Sequence, residues 1–598
     1  MNHQLFTTWG KTLDTGRPLQ EYPRPQMVRN SYLNLNGYWD YAINNVEKTP
    51  KQYDGKILVP FSPEAFLSGV HRQTKPDEFL HYRREIELPE GFQLNRVLLH
   101  FGAVDQICEV FVNGKTAGKH EGGYLPFSAD VTDYLIAGVN TLTLTVKDYS
   151  DSSYFSKGKQ KLKREGMWYT AQSGIWQTVW MESVPDCYVE RLKLDPDYDK
   201  GTIAFKVFSS GRLKHDVRVR IFDGEEEIAS ACFPAEEKHE IRIPDFKSWS
   251  PENPHLYHAE VAMGEDSVRT YFAMRKFSVG KDDNGILRFM LNNKPYFHNG
   301  LLDQGYWPEG LYTAPTDEAL RYDIVKMKEL GFNMIRKHIK VEPARWYYHC
   351  DKIGMLVWQD MVNGGSGYHM KFICIMPNLW MPFGRFIKDN KYGAFARREK
   401  SGRVQYYKEL RETIMHLYNV PSIAVWVPFN EGWGQFDAVK VTAKVKEMDT
   451  SRLIDEASGW FDQGGGDMYS IHNYWRKLKV RPKKDRVVAL TEYGGYSQRI
   501  EGHSFCSKVY GYRIYKTKEE LTAGFKRLIQ TDIIRGIRNG LSGTVYTQVS
   551  DVEEEVNGLL TYDRHIVKIE EETVKQLNRE IYEEFERCTV TDSRERRK

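Results

Sequence analysis

Short runs in which apolar and polar residues alternate fill roughly the first 185 positions. Val97-Leu98-Leu99-His100-Phe101 is one and Cys108-Glu109-Val110-Phe111-Val112 another. Thr141-Leu142-Thr143-Leu144-Thr145-Val146 and Gln177-Thr178-Val179-Trp180-Met181 follow. A period of two places alternate side chains on opposite faces of an extended strand, and Asn113-Gly114 has the chemistry of a two-residue hairpin turn. Residues 1–185 are therefore predicted to form a β-sandwich. Residues 186–278 repeat the character on a smaller scale, in Val217-Arg218-Val219-Arg220-Ile221-Phe222 and His258-Ala259-Glu260-Val261. About 90 residues of short strands without a helical period fit an immunoglobulin-like sandwich.

From about residue 279 the period changes. Amphipathic segments alternate with short apolar runs: Ala319 to Leu330 stops at Gly331 and precedes Phe332-Asn333-Met334-Ile335. Pro343 to Ile353 stops at Gly354 and precedes Met355-Leu356-Val357-Trp358. Tyr406 to Tyr418 leads into Ile423-Ala424-Val425-Trp426-Val427, and Val439 to Met448 into Leu453-Ile454-Asp455. Val487-Val488-Ala489-Leu490 and Gly543-Thr544-Val545-Tyr546 read as later strands, with a helix from Glu519 to Arg538 between them. Such alternation over residues 279–598, with Gly after the helices, predicts a parallel (β/α)8 barrel. A doubly wound open sheet is the rival, but no G-x-G-x-x-G loop opens a helix.

Charge narrows the partners. Lys and Arg number 84 against 81 Asp and Glu, a net +3, which supplies no field for nucleic acid or an acidic membrane. The densest basic stretch is the tail Arg594-Glu595-Arg596-Arg597-Lys598. No stretch of about 18 apolar residues could span a bilayer. The opening residues show no basic region followed by an apolar run, so a cytoplasmic protein is expected. The seven cysteines are scattered and form no C-x-x-C pair, so neither a disulfide framework nor a metal site is expected.

Two strand ends carry an acid. One is Trp426-Val427-Pro428-Phe429-Asn430-Glu431-Gly432-Trp433-Gly434, the other Leu490-Thr491-Glu492-Tyr493-Gly494-Gly495. Polar residues just past the C-terminal ends of barrel strands project into a common pocket. Two carboxylates there can divide the work of glycoside cleavage, one as a protonated acid and one as an ionised nucleophile. A lone Glu after a strand could equally complement a helix N-terminus or pair with a surface charge. The neighbouring Asn430 and the aromatic, Gly-rich context favour the chemical reading.

The chain resembles glycoside hydrolase family 2, the family of β-galactosidases, β-glucuronidases and β-mannosidases. Leu33-Asn34-Leu35-Asn36-Gly37-Tyr38-Trp39 resembles the family's opening, and Val110-Phe111-Val112-Asn113-Gly114 and Gly122-Gly123-Tyr124-Leu125-Pro126-Phe127 resemble its jelly-roll sugar-binding domain. Gly174-Ile175-Trp176-Gln177-Thr178-Val179-Trp180, Trp249-Ser250-Pro251-Glu252-Asn253-Pro254-His255-Leu256-Tyr257, Phe272-Ala273-Met274-Arg275-Lys276 and Gly331-Phe332-Asn333-Met334-Ile335-Arg336-Lys337-His338 continue the match in order. The resemblance implies three parts: an N-terminal jelly-roll β-sandwich, a central immunoglobulin-like sandwich and a C-terminal TIM barrel. It implies Glu431 as acid/base after the fourth strand and Glu492 as nucleophile after the seventh. Asn430 falls on the residue that bonds the sugar 2-hydroxyl, Arg336 and His338 line the pocket, and Tyr474 faces the nucleophile. His472 either reaches the sugar or forms the pocket wall. Asp360 either binds a hydroxyl or holds the scaffold.

The resemblance also limits the substrate. Family glucuronidases read the sugar carboxylate with Asn-x-Lys after the eighth strand, whereas Asn557 is followed by Gly558-Leu559. Glucuronide is thus disfavoured. Tyr546-Thr547-Gln548 stands where many members carry a sugar-stacking Trp. No magnesium ligands match, and no cofactor is implied. The expectation is a retaining exo-β-glycosidase acting on carbohydrate, β-galactosidase-like, with a β-mannosidase-like enzyme or a non-catalytic carbohydrate-binding relative as alternatives. Residues 361–400 read as a long loop that walls the leaving-group side, with Tyr368 or Trp380 stacking on a second sugar or packing beneath the loop.

Overall fold

A computed structural model describes residues 4–590 of the protein, apart from 93–94, 212–214 and 380–382. Trp380 and the basic tail Arg594–Lys598 therefore lie outside the described residues. Among those residues the N-terminal sandwich has two antiparallel sheets. One runs Leu33–Asn34, Val179–Val184, Arg96–Phe101, Phe127–Asp130. The other runs Gly55–Val59, Gly37–Asn44, Phe79–Glu87, Val139–Lys147, Ile107–Val112, Lys115–Glu121. Alternation decides what faces inward: Cys108, Val110 and Val112 join Leu142, Leu144, Leu99 and Trp39 in one core between the sheets. Asn113 (φ 51°) and Gly114 (φ 76°) are both left-handed, as a tight hairpin between Ile107–Val112 and Lys115–Glu121 requires.

The central sandwich packs a three-stranded sheet (Val189–Asp197, Thr202–Ser209, Lys238–Arg242) on a four-stranded one (Glu226–Pro234, Asp216–Asp223, Tyr257–Met263, Asp266–Phe272). Their inward residues, among them Val217, Val219, Ile221, Val261 and Phe205, form a separate core. Arg29 ties the two sandwiches together. Its guanidinium bonds Glu182 at 3.0 Å and Asp266 at 2.8 Å, and all three side chains are buried.

Eight parallel strands follow: β1 (His298–Asp303), β2 (Met334–Lys337), β3 (Leu356–Asp360), β4 (Ile423–Val427), β5 (Leu453–Ile454), β6 (Met468–Asn473), β7 (Val487–Gly494) and β8 (Leu541–Thr547). They are ordered β5-β4-β3-β2-β1-β8-β7-β6, a nearly closed barrel. Leu302, Met334, Trp358, Val425, Ala489 and Val545 fill its interior, together with Phe289 from the small antiparallel sheet that precedes β1. The helices begin and end on the expected chemistry. Asp317–Glu329 is capped by the Thr316 hydroxyl, which accepts from the Ala319 N–H, and Ala344–Ile353 ends on left-handed Gly354.

Two expectations need correction. The 361–400 segment is not a plain loop: a π-turn (Lys371–Ile375) and short helices (Met376–Leu379, Phe383–Phe386) interrupt it. The helix expected from Glu519 to Arg538 comprises Lys518–Leu528, a π-turn Ile529–Ile533, and Ile534–Arg538. No described helix is long and apolar enough to cross a membrane.

The first sandwich also sends residues 154–170 across the barrel mouth. The Lys157 N–H donates to the Asn363 carbonyl (2.9 Å) and the Thr170 N–H to the Glu553 carboxylate (3.0 Å). One wall of the pocket thus comes from outside the barrel.

Candidate active site

Apolar side chains pack the barrel interior, so the charged residues of its strands collect at their C-terminal ends. Arg336 (β2), Asp360 (β3), Asn430 and Glu431 (after β4), His472 (β6) and Glu492 (β7) are all at most 5% exposed. Beyond β4, Phe429–Asn430 pairs in parallel with Ala457–Ser458, and the Glu431 N–H donates to the Ser458 carbonyl at 2.8 Å. Glu431 itself adopts φ 50°, a left-handed conformation costing roughly 1–2 kcal/mol in a non-Gly residue. The surrounding ladder holds that turn and aims the carboxylate inward.

An oxygen of Glu431, an oxygen of Glu492 and a ring nitrogen of His472 lie within 4.8 Å of one another. His472 sits between the carboxylates, Nδ1 being 2.8 Å from Glu431 Oε1 and 3.5 Å from Glu492 Oε2. Its Nε2 is 3.0 Å from the Ser458 hydroxyl. The Tyr474 hydroxyl donates to Glu492 Oε2 at 2.6 Å, and its ring stacks on Tyr512 with centroids 3.7 Å apart.

Arg336 organises the floor. It donates to both Asp360 oxygens (2.9 and 3.1 Å), to Asn430 Oδ1 (2.8 Å), to the Ser458 hydroxyl (2.9 Å) and to Glu492 Oε1 (3.5 Å). Asp360 Oδ2 is also 2.7 Å from His338 Nδ1. Asp360 is therefore a holder of Arg336 and His338, the scaffold alternative of its two readings. His472 is likewise engaged on both ring nitrogens. Asn430 differs: its Oδ1 is taken, while its buried Nδ2 has no partner among the described residues.

The two carboxylates are driven apart in acidity. Burial raises the pKa of Glu431 and the negative charge of Glu492 raises it further, with His472 and Lys159 opposing. Burial also opposes ionisation of Glu492, but His472, Arg336 and the Tyr474 hydroxyl together hold it below the usual carboxylate range. Burial keeps the His338 imidazole well below its ordinary pKa, so Arg336 is the permanent charge in this group. A proton at neutral pH thus resides on Glu431 in preference to Glu492.

Every site residue expected from sequence meets in this one network. Ser458, Thr491 and Tyr512 were missed. Ser458 follows β5, a position that could have drawn attention, whereas Tyr512 lies in a loop with no signal. Tyr368 packs against Trp168 (5.6 Å) and Trp433 (6.5 Å), which favours packing beneath the loop over stacking on a sugar. Among the described residues, two groups have donor atoms close enough to hold a metal ion, Glu431–His472–Glu492 and His503–Asp563–His565. A cavity of about 860 Å³ lies away from Glu431 and Glu492, lined by Trp180, Tyr188, Arg345 and His416 among others.

Two buried carboxylates of opposed acidity at the C-terminal mouth of a parallel barrel are the hallmark of the two-carboxylate glycosidase class. The chain belongs to glycosyl hydrolases family 2. It matches that family's sugar binding domain over residues 61–185, its central domain, described as glycosyl hydrolases family 2, over 187–275, and its TIM barrel domain over 287–486. A β-galactosidase of Vibrio vulnificus (strain YJ016) is 24% identical over 573 residues, covering 89% of this chain and 50% of that protein. The chain thus spans about half the length of this relative. Among solved structures, a Ruminococcus gnavus β-glucuronidase superposes with a TM-score of 0.73 at 16% identity, covering 94% of this chain and 99% of the other. A family 2 β-galacturonidase from Eisenbergiella tayi, bound to galacturonate, gives 0.69 at 20% identity, covering 93% and 99%. At such identities the structural likeness establishes the fold.

Proposed function

We propose that the protein is a retaining, exo-acting β-glycoside hydrolase with Glu492 as nucleophile and Glu431 as acid/base. The observation that carries this reading is the approach of the two carboxylates within 4.8 Å, with opposed acidities. Inverting enzymes hold their carboxyl groups roughly 6.5–9.5 Å apart to seat a water, and retaining enzymes hold them closer. In the first step Glu492 bonds the anomeric carbon, the glycosidic C–O bond breaks, and Glu431 gives its proton to the leaving oxygen. Esterification removes the Glu492 charge that raised the Glu431 pKa. Glu431 then ionises, takes a proton from water, and the resulting hydroxyl displaces Glu492 from the sugar. Asn430 Nδ2, unpaired in the pocket wall, suits the sugar 2-hydroxyl.

A terminal β-galactoside is the first sugar to test, supported by the names of sequence relatives such as the Vibrio protein. The Glu492→Gly variant lacks the nucleophile, so azide should restore turnover and give the α-glycosyl azide. A β-azide, or no rescue on any activated β-glycoside that the wild type cleaves, would remove Glu492 from this role.

A further inference from the structure

Among the described residues, five lysines are at most 5% exposed: Lys157, Lys159, Lys337, Lys340 and Lys568. Four have oxygen partners. Lys157 donates to the Asp151 and Gly365 carbonyls, Lys337 to Asp303 and Glu342, Lys340 to Glu342 and two carbonyls, and Lys568 to Asp551 and two carbonyls. Lys159 is 5% exposed as a residue, yet its ammonium, without a hydrogen bond or ion pair among the described residues, keeps access to the pocket. Its ammonium lies near two aromatic rings, those of Tyr169 and Trp433, with centroids 5.6 and 5.7 Å away. Cation–π attraction near its 6 Å limit is weak beside the loss of water around an ammonium. An ammonium that opens to the pocket without a protein partner is placed to receive an anion.

Its position says which anion. Trp433 is two residues beyond Glu431, and its ring centroid is 6.4 Å from that of His338. Lys159 Nζ lies 5.7 Å from the Trp433 ring centroid, which places the ammonium at the wall that Trp433 and His338 share. Neither Glu431 nor Glu492 forms an ion pair with it: Glu431 is bonded to His472, and Glu492 to Tyr474 and Arg336. The placement is built in. Gly158 (φ 60°) lies so close to the barrel that a Cβ there would meet the Ile339 carbonyl oxygen at 2.9 Å, so only Gly lets this strap seat the next residue in the mouth. The eighth-strand region offers no substitute cation, because Leu559 stands two residues after Asn557 and Lys568 is bound to Asp551.

We propose that Lys159 is a specificity residue that selects an anionic sugar, its ammonium pairing with a carboxylate or sulfate group on the sugar held between Glu431 and Glu492. The proposal rests on the retaining-hydrolase reading for the location of that sugar. It changes the weight of the missing Asn-x-Lys pattern: the acid is read from the first sandwich instead of from the end of the barrel.

The test compares full-length wild type, Lys159→Met and Lys159→Arg on 4-nitrophenyl β-galactoside, β-galacturonide, β-glucuronide and 6-sulfo-β-galactoside. The wild type should prefer an anionic member. In Lys159→Met the anionic-to-neutral ratio of kcat/KM should fall roughly 100-fold, mainly through KM, because a desolvated charge pair loses one partner. Lys159→Arg should recover part of the ratio. A uronide preference assigns a carboxylate, and a sulfo-galactoside preference a sulfate. A ratio unchanged within about threefold, or equal losses on all substrates with a shifted pH profile, would overturn the proposal. Calorimetric titration of the same proteins with galacturonate, glucuronate, galactose 6-sulfate and galactose reads Lys159 without turnover. Charge-selective binding lost in Lys159→Met, without hydrolysis, would uphold Lys159 and defeat the hydrolase reading. Hydrolysis without charge preference would do the reverse.

Discussion

Tyr474→Phe removes one hydroxyl and little else. The ring stays clamped against Tyr512, stacked at 3.7 Å and within 3° of parallel. What is lost is the 2.6 Å bond to Glu492 Oε2 and a 3.0 Å contact with the Thr547 hydroxyl. Burial and the Glu492 charge hold the Tyr474 phenol well above its ordinary pKa, so in the wild type it remains a donor throughout the working range. A hydrogen bond to a charged acceptor contributes about 1.5–3 kcal/mol. At 1.36 kcal/mol per pKa unit, its loss should raise the Glu492 pKa by roughly 1–2 units. The sign follows from the role. As the proposed nucleophile Glu492 acts ionised, and its pKa is depressed, so activity is expected to fall as pH drops through that value. Raising the pKa moves the acid limb of kcat/KM upward. The basic limb belongs to Glu431, which acts protonated and whose pKa is raised, so activity falls as pH climbs through it. Because the two carboxylates titrate as a pair, the limbs report apparent values of the pair, but the acid limb should move more. The assay is kcat/KM against pH on an activated nitrophenyl glycoside. An acid limb that stays within about 0.3 unit, or moves down, would refute the view that Tyr474 holds Glu492 ionised.

Two further perturbations probe other links. Asn430→Ala should lower kcat about 100-fold on a full substrate, the usual loss for one donor aimed at the transition state, yet cost little more on a 2-deoxy substrate. Equal proportional losses on both would show that Asn430 Nδ2 does not serve the 2-hydroxyl. Arg29→Ala should leave Asp266 as a buried acid without its cation, while Glu182 keeps Arg24, and destabilise the sandwich pair by about 3–5 kcal/mol. Urea denaturation measures this, and a change below about 1 kcal/mol would mean that the two sheets do not depend on the bridge.

Much of the fold was legible because each segment's period matches its element. Cys108, Val110 and Val112 alternate in sequence and share one core face, and the Gly stops at 331 and 354 fall where helices end. Glu431 and Glu492 were legible because a barrel gathers whatever follows its strands at one mouth. The roles within the network were not. Asp360, a strand-end acid like the other two, is consumed by Arg336 and His338, partners carried by a different strand, and no local pattern distinguishes it from a sugar ligand. Tyr512 supports Tyr474 from a loop of unremarkable composition. Lys159 sits in Lys157-Gly158-Lys159-Gln160-Lys161, whose composition is that of a solvated charged turn; its burial across the barrel mouth, shared with Lys157 and Gln160, is set by tertiary contacts. The short helices within 361–400 escaped notice because Gly- and Pro-containing segments of about four residues carry no measurable period.

The configuration of the first product tests the account most directly. A substrate of known β-configuration is cleaved with enough enzyme to outrun mutarotation, and the anomeric proton is followed by NMR from the earliest times. Displacement by Glu492 followed by displacement by water predicts the β-anomer first, with the α-anomer growing in later at the spontaneous rate. An α-anomer at the outset would mean a single displacement by water, which two carboxylates this close do not accommodate.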